Sequence, residues 1–176
     1  NENNEVIIPF EYHELSCEKE GLILAEHNFL WGAINENNVG IIPFKYGTLK
    51  FVKEGLIFAQ DLEIWGAINE NNEVLIPFEY DQLSYEEDGV IHVCLNDLWG
   101  VINENNKMLI PFEYESLENI DGGFTIAGRF GKVGVINLKN EIIIPFIYDS
   151  CSSLEPASGH VIMMQGDVEM KIKYRE

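Results

Sequence analysis

A spacing of 34 residues constrains this chain more than anything else in it. Trp31-Gly32, Trp65-Gly66 and Trp99-Gly100 follow one another at that interval, and Val133-Gly134 continues it with the indole lost. Pro-Phe-x-Tyr keeps the same step, with prolines at Pro9, Pro43, Pro77, Pro111 and Pro145 and tyrosines at Tyr12, Tyr46, Tyr80, Tyr114 and Tyr148. No residue is inserted or lost over that span. Such a chain stacks copies of one small unit, because a unit this short cannot bury its apolar face alone.

The pattern inside the unit is that of β-structure. In the first copy Val6, Ile8, Phe10 and Tyr12 alternate with Ile7, Pro9 and Glu11, which is the period of a strand. A proline cannot donate to a ladder, so its recurrence predicts a free edge, a bend or a bulge at that point. Gly21, Gly55, Gly89 and Gly123 predict a tight turn, with a second strand directly after each. The Trp-Gly strand follows, and an Asn-rich run such as residues 103–106 predicts the hairpin back to Pro-Phe-x-Tyr. The stretch between Tyr12 and Gly21 is polar except for Leu15, whose counterparts are Leu49, Leu83 and Leu117. It reads as a loop that the leucine pins to the core. The tryptophans and tyrosines read as packing residues, each tyrosine hydroxyl holding the loop that follows it.

The expected fold is therefore all-β: tandem 34-residue three-stranded antiparallel meanders stacked into an elongated, solenoid-like array. A closed, propeller-like ring is the alternative. The unit is short for a propeller blade, which has four strands in about 40–50 residues. The chain reads as a single array over 1–176, with units at about 1–34, 35–68, 69–102, 103–136 and 137–176. It opens inside a repeat, so a preceding portion is expected. The last unit differs: residues 168–174 alternate apolar and charged side chains, with lysines at 171 and 173, as a terminal cap requires.

Charge narrows the partners. The net charge is −19, and residues 1–128, with 5 basic and 24 acidic residues, carry all of it. Such a surface repels phosphate backbones, so nucleic acid is not an expected partner. No apolar run approaches the roughly 20 residues that span a bilayer, so membrane insertion is not expected either. The three cysteines, Cys17, Cys94 and Cys151, are far apart and fit no zinc pattern; they read as buried or semi-buried thiols. His13, His27, His92 and His160 occupy different places in the unit and read as isolated loop or solvent-facing side chains. No phosphate loop, nucleophile setting or paired acid and base is present, so neither an enzyme nor a cofactor is expected. Glu2, Glu36, Glu70 and Glu104, flanked by asparagines, form a row of calcium-type oxygens, but without the spacing of a calcium loop; solvated turns account for them and no metal is assigned.

The unit WGxINxxNxxxIPFxYxxLxxxxxGL resembles the WG-repeat (KWG) family over nearly the whole chain. The residues that carry the resemblance are Trp31, Gly32, Trp65, Gly66, Trp99 and Gly100, with Pro43, Pro77, Pro111, Tyr46, Tyr80 and Tyr114. The resemblance implies an all-β tandem array, found mostly in bacterial proteins and often joined to other domains, without catalytic residues. It leaves the compartment, cytoplasm or cell envelope, open. Val133 and the lysine-bearing last strand depart from the pattern. For function, the reading is a non-catalytic protein–protein interaction module whose variable stretches, residues 14–20, 48–54, 82–88 and 116–122, select a basic partner. The acidic candidates are Glu18, Glu20, Glu54, Glu86, Glu87, Asp88, Glu118 and Asp121. A carbohydrate-binding module using aromatics such as Phe51 and Tyr85, or a spacer for a neighbouring domain, are the alternatives. The oligomeric state is left open.

Overall fold

A computed structural model describes residues 8–19, 21–86 and 89–175. The chain divides into two compact units, residues 1–83 and 84–176. Unit one holds two antiparallel sheets. The first runs β1 (Glu14–Lys19), β2 (Leu22–His27), β3 (Leu30–Ile34), β4 (Gly40–Tyr46); the second runs β5 (Thr48–Lys53), β6 (Leu56–Asp61), β7 (Ile64–Ile68), β8 (Val74–Tyr80). The division falls inside β9 (Gln82–Tyr85), whose sheet continues with β10 (Val90–Leu95), β11 (Leu98–Asn103) and β12 (Met108–Tyr114) in unit two. There follow β13 (Ser116–Asp121), β14 (Phe124–Arg129), β15 (Lys132–Asn137) and β16 (Ile142–Tyr148), then β17 (Ser150–Glu155), a 3₁₀ turn at Pro156–Ser158, β18 (His160–Gln165) and β19 (Val168–Lys173). Each sheet is a meander in chain order. Among the described residues no helix is long and apolar enough to cross a membrane.

The all-β tandem meander holds, but the strand count is corrected: among the described residues four sheets have four strands, and the last has three. The stretch read as a loop after each tyrosine is the extra strand. Its alternation is plain in β5, where Leu49 and Phe51 pack inward and Thr48 and Lys50 do not. In β13 Ser116 and Glu118 are exposed and Leu117 is half-buried, because the strand is an edge with one wet face, whereas in β1 Leu15 and Cys17 are exposed and Ser16 and Glu18 half-buried.

The middle strands break the period of two for the opposite reason. Leu22, Ile23, Leu24 and Ala25 of β2 are all buried, since both faces of the sheet are covered. Leu22 and Leu24 meet Leu49, Ile57, Ala59 and Ile68 of the second sheet, while Ile23 and Ala25 pack with Ile34, Ile8, Tyr12 and Phe44. In unit two, Val90, Val101, Ile110 and Tyr114 meet Ala127 and Ile136 in the same way, and Ile126, Val135, Ile144 and Tyr148 meet Val161, Met163 and Tyr174.

The repeat signature builds one joint, used again and again. From Trp31 to Ala33 the ladder advances two residues on β3 but four on β4, from Tyr46 to Ile42. Pro43, Phe44 and Lys45 lie in that bulge, on an edge strand, where a missing N–H costs no ladder bond. The bulge folds Phe44 over Gly32: a Cβ there would meet the Ile42 carbonyl at 2.8 Å and the Phe44 ring at 2.9 Å. Gly66, Gly100 and Gly134 face the same carbonyl and ring positions. In the three-stranded last sheet the corresponding residue is Met170, and among the described residues no strand crosses it.

Tyrosine links one sheet to the next. The Tyr46 hydroxyl donates to Asn72 Oδ1 at 2.7 Å, 26 residues on, in the β7–β8 turn of the second sheet. Tyr12 donates likewise to Asn38, and Tyr114 to Asn140. The expectation that the hydroxyl holds the loop directly after it is thus corrected. The rings stack as well: Tyr46 on Phe78 at 5.9 Å, Tyr12 on Phe44 at 5.7 Å and Tyr114 on Phe146 at 5.9 Å. Tyr46→Phe keeps the stack and deletes the bond, so a loss of about 1 kcal/mol is expected. Urea unfolding checks it; an unchanged midpoint would mean that stacking alone joins the sheets.

Candidate binding clefts between stacked sheets

Each Asn-rich turn is closed by its own side chains. Asn69 Oδ1 accepts the N–H groups of Asn71 and Glu73 at 3.0 and 2.9 Å, and Asn35, Asn103 and Asn137 repeat the arrangement. The turn carboxylates serve the neighbouring hairpin of their own sheet. Glu70 Oε1 accepts the Gly55 N–H at 2.8 Å and pairs with Lys19 Nζ at 2.9 Å. Burial alone would raise its pKa, but the Gly55 N–H and the Lys19 ammonium outweigh burial and hold it below the ordinary value. Glu104 accepts the Tyr85 hydroxyl at 3.0 Å. These oxygens fasten turns. Tyr80, buried beside Glu79, has its pKa pushed up to about 12, mainly by desolvation, so it stays protonated.

The variable strands make a cleft in unit one. Glu14, Ser16 and Glu18 of β1 and Thr48 and Lys50 of β5 line it together. Leu24, Trp31, Leu49 and Phe51 complete the lining, and the space is about 380 Å³. The strand period produces this geometry: alternate residues of β1 point toward the second sheet, and Leu49 and Phe51 of β5 point back. Trp31 is half-buried, packed against the core on one side and lining the cleft on the other. The indole is therefore both a packing residue and part of a surface.

The acidic candidates separate on this geometry. Glu18 lines the cleft and accepts the Ser16 hydroxyl at 2.5 Å. Glu54 lies beyond β5, exposed, and pairs with Lys19 at 3.3 Å. Glu86 accepts from Ser84 at 3.4 Å, Glu118 sits within β13, and Asp121 ends it. Glu20, Glu87 and Asp88 lie outside the described residues, as do Glu2 of the turn row and residues 1–7 of the first strand. The aromatics named for sugar binding are not free: Phe51 is half-buried against the core and Tyr85 is bonded to Glu104.

Sequence reasoning missed several groups. His92 is not solvent-facing; it is buried in β10 at the place of Leu24 and Phe58, and its Nε2 has no hydrogen-bond partner. Desolvation lowers its pKa, opposed by Glu86. Thr125, fully buried in β14, likewise has an unpartnered hydroxyl. Cys17 is exposed rather than buried, whereas Cys94 is buried and Cys151 half-buried, with its thiol pushed up by burial. The β2–β3 and β6–β7 hairpin tips place Phe29 and Leu62 at positive φ and in solvent. Bulky side chains at such tips are strained, and no composition signal marks them. Asn137, Lys173, Tyr174 and Arg175 line a second cleft, in unit two, that charge counting did not single out.

Fold and signature together define a tandem β-repeat module built from four-stranded meanders, of a type recognised by its architecture and not by a reaction. The model of the WG containing repeat matches residues 1–28, 31–61, 65–99, 99–127 and 134–167. The chain belongs to the WG-repeat family. No curated protein matches it. Among solved structures, Kluyveromyces lactis Hsv2 is similar at 10% identity, with 88% of this chain and 57% of that one covered and a TM-score of 0.46. The extracellular domain of the putative one component system BT4673 from B. thetaiotaomicron is similar at 12% identity, with 91% and 27% covered and a TM-score of 0.45. This chain thus spans little more than half of the first and about a quarter of the second, and neither likeness bears on what it binds.

Proposed function

We propose that the chain is a non-catalytic protein-interaction module, and that a basic segment of the partner docks in the cleft between β1 and β5. The observation that supports this is the union of two carboxylates, Glu14 and Glu18, with an aromatic floor of Trp31 and Phe51. A lysine or arginine side chain suits that union: its methylene stem covers apolar surface, its charge meets the carboxylates, and the indole face attracts a cation. The excess of acid over residues 1–128 adds a long-range pull. The strands lining the cleft are also where the repeat varies most, as a selecting surface requires.

The test is binding of a fluorescent arginine-rich peptide, read by anisotropy at about 0.05 and 0.5 M salt. Glu14→Gln with Glu18→Gln is expected to weaken binding about tenfold at low salt, two charge contacts being lost. Unchanged affinity in that variant would sink the assignment to this cleft. A second reading has its own support, since Ser16 and Thr48 beside Trp31 and Phe51 also suit a sugar ring. Oligosaccharide binding that ignores salt and is lost on Phe51→Ala would favour it. Absence of both kinds of binding would favour the spacer.

A further inference from the structure

One seam between sheets in unit two is built differently from its counterpart in unit one. Val90 and His92 share a face of β10, and His92 pairs across the ladder with Val101 of β11. Thr125 and Ala127 share a face of β14, and Thr125 pairs with Ile136 of β15. Val90, Val101, Ala127 and Ile136 belong to one buried cluster, so His92 and Thr125 both point into the seam that joins the third sheet to the fourth. His92 is 4% exposed and Thr125 fully buried, and neither His92 Nε2 nor the Thr125 hydroxyl has a hydrogen-bond partner. Two repeats earlier the same positions are Leu24 and Ile57, packed together in the apolar cluster of unit one. Polar groups left unpaired between apolar layers weaken the packing that holds the layers together.

The surroundings of His92 give little support to a charge. Glu86, just beyond β9, is the described carboxylate that acts on it, and it also accepts the Ser84 hydroxyl at 3.4 Å. Cys94, next on the same face of β10, is buried. Tyr114 of β12 donates to Asn140 and keeps its proton, since burial raises its pKa. From β13 Leu117 joins the cluster, whereas Glu118 shares the opposite face with Ile126. Arg129, beyond Ala127 on β14, is paired with Glu113 at 3.2 Å. Desolvation therefore prevails over the pull of Glu86, and the closed seam holds the imidazole below its ordinary pKa.

We propose that this seam is an acid-sensitive joint: in mild acid His92 takes up a proton, and the β10 and β14 faces part there before the rest of the chain unfolds. Once the seam opens, the imidazole returns to water and to an ordinary value of about 6.5. Below that pH the open form binds more protons than the closed one, so acid favours opening. Above about pH 7 the ring is neutral in both forms and the seam has its full stability. The seam of unit one, with Leu24 and Ile57, has no group at these positions that titrates.

Amide hydrogen exchange of the full chain at about pH 7.5 and 5.5, corrected for the intrinsic pH dependence of exchange, tests the proposal. Protection of β10 and β14 is expected to fall about tenfold at the lower pH, the limit for one proton taken up by a group of ordinary value near 6.5. Protection of β2 and β6 should stay within about twofold. His92→Leu installs the residue that β2 carries at this position, and His92→Gln keeps a polar side chain that takes no proton in this range. Both variants are expected to protect β10 and β14 equally at the two pH values. Three results would overturn the proposal: unchanged protection of β10 and β14 in the unaltered chain, an equal loss in β2 and β6, or a loss that persists in either variant. Glu14 and Glu18 take no part, so the outcome is independent of the acidic cleft.

Discussion

Gly66→Val is expected to lower the thermal midpoint by about 10 °C, from a loss of about 3 kcal/mol. The first added carbon alone would sit 2.8 Å from the Ile76 carbonyl and 3.0 Å from the Phe78 ring. The obstacle is backbone, and it cannot rotate away. To relieve the overlap, the β8 bulge must open, which draws Phe78 off the Tyr46 ring, 5.9 Å away in the first sheet, and strains the Tyr46–Asn72 bond. One substitution would thus loosen a sheet internally and at its joint. Gly40→Ala is the control. A Cβ at Gly40, also in a strand, meets nothing within 4 Å, and its φ is not positive. That change is expected to leave the midpoint unmoved or slightly raised, since it only restricts the unfolded chain. Equal effects at the two glycines would mean that lost strand flexibility, and not the crossing of Phe78, explains the conserved spacing of Trp-Gly within this chain.

What the sequence revealed follows from which forces are local. Pro43 in a bulge and the turn glycines Gly21, Gly55, Gly89 and Gly123, all at positive φ, were legible because each is a backbone constraint, written by one residue type wherever it recurs. The first strand of each sheet was not legible, because an edge strand needs only every second side chain to be apolar, as β5 shows with Leu49 and Phe51, and polar residues fill the rest. The tyrosine partner was missed for another reason. Asn72 lies 26 residues from Tyr46, and only the stacking of two sheets brings them to 2.7 Å. The same holds for the cleft: Glu18 was singled out as acidic, but Glu14, Trp31 and Lys50 acquire meaning only when β1 and β5, one repeat apart, face each other. His92 stands at a core position that is apolar in the neighbouring copies, and a repeat alignment read for its polar exceptions would have found it.

Trp31→Ala is expected to act on stability and binding together, with a loss of about 3 kcal/mol at the lower end for a truncated tryptophan. The indole is half-buried, so part of its surface never left water, yet it packs against the cluster of Leu22, Leu24, Ile42 and Tyr46 and pairs across the ladder with Tyr46. Its other side lines the acidic cleft. The chain contains its own comparison: Val133 holds the same place opposite Tyr148, so a branched aliphatic residue can fill the packing role. Trp31→Val should therefore recover more than half of the stability lost in Trp31→Ala. It should not recover peptide binding, because valine offers no aromatic face to a cation. Unfolding midpoints and anisotropy on the same two variants separate the roles. If valine restores both, the tryptophan is a packing residue alone and the cleft does not use its face. If it restores stability only, one side chain joins the fold of the repeat to its surface, and the loss of the indole at Val133 marks a copy that keeps the joint without that cation-binding face.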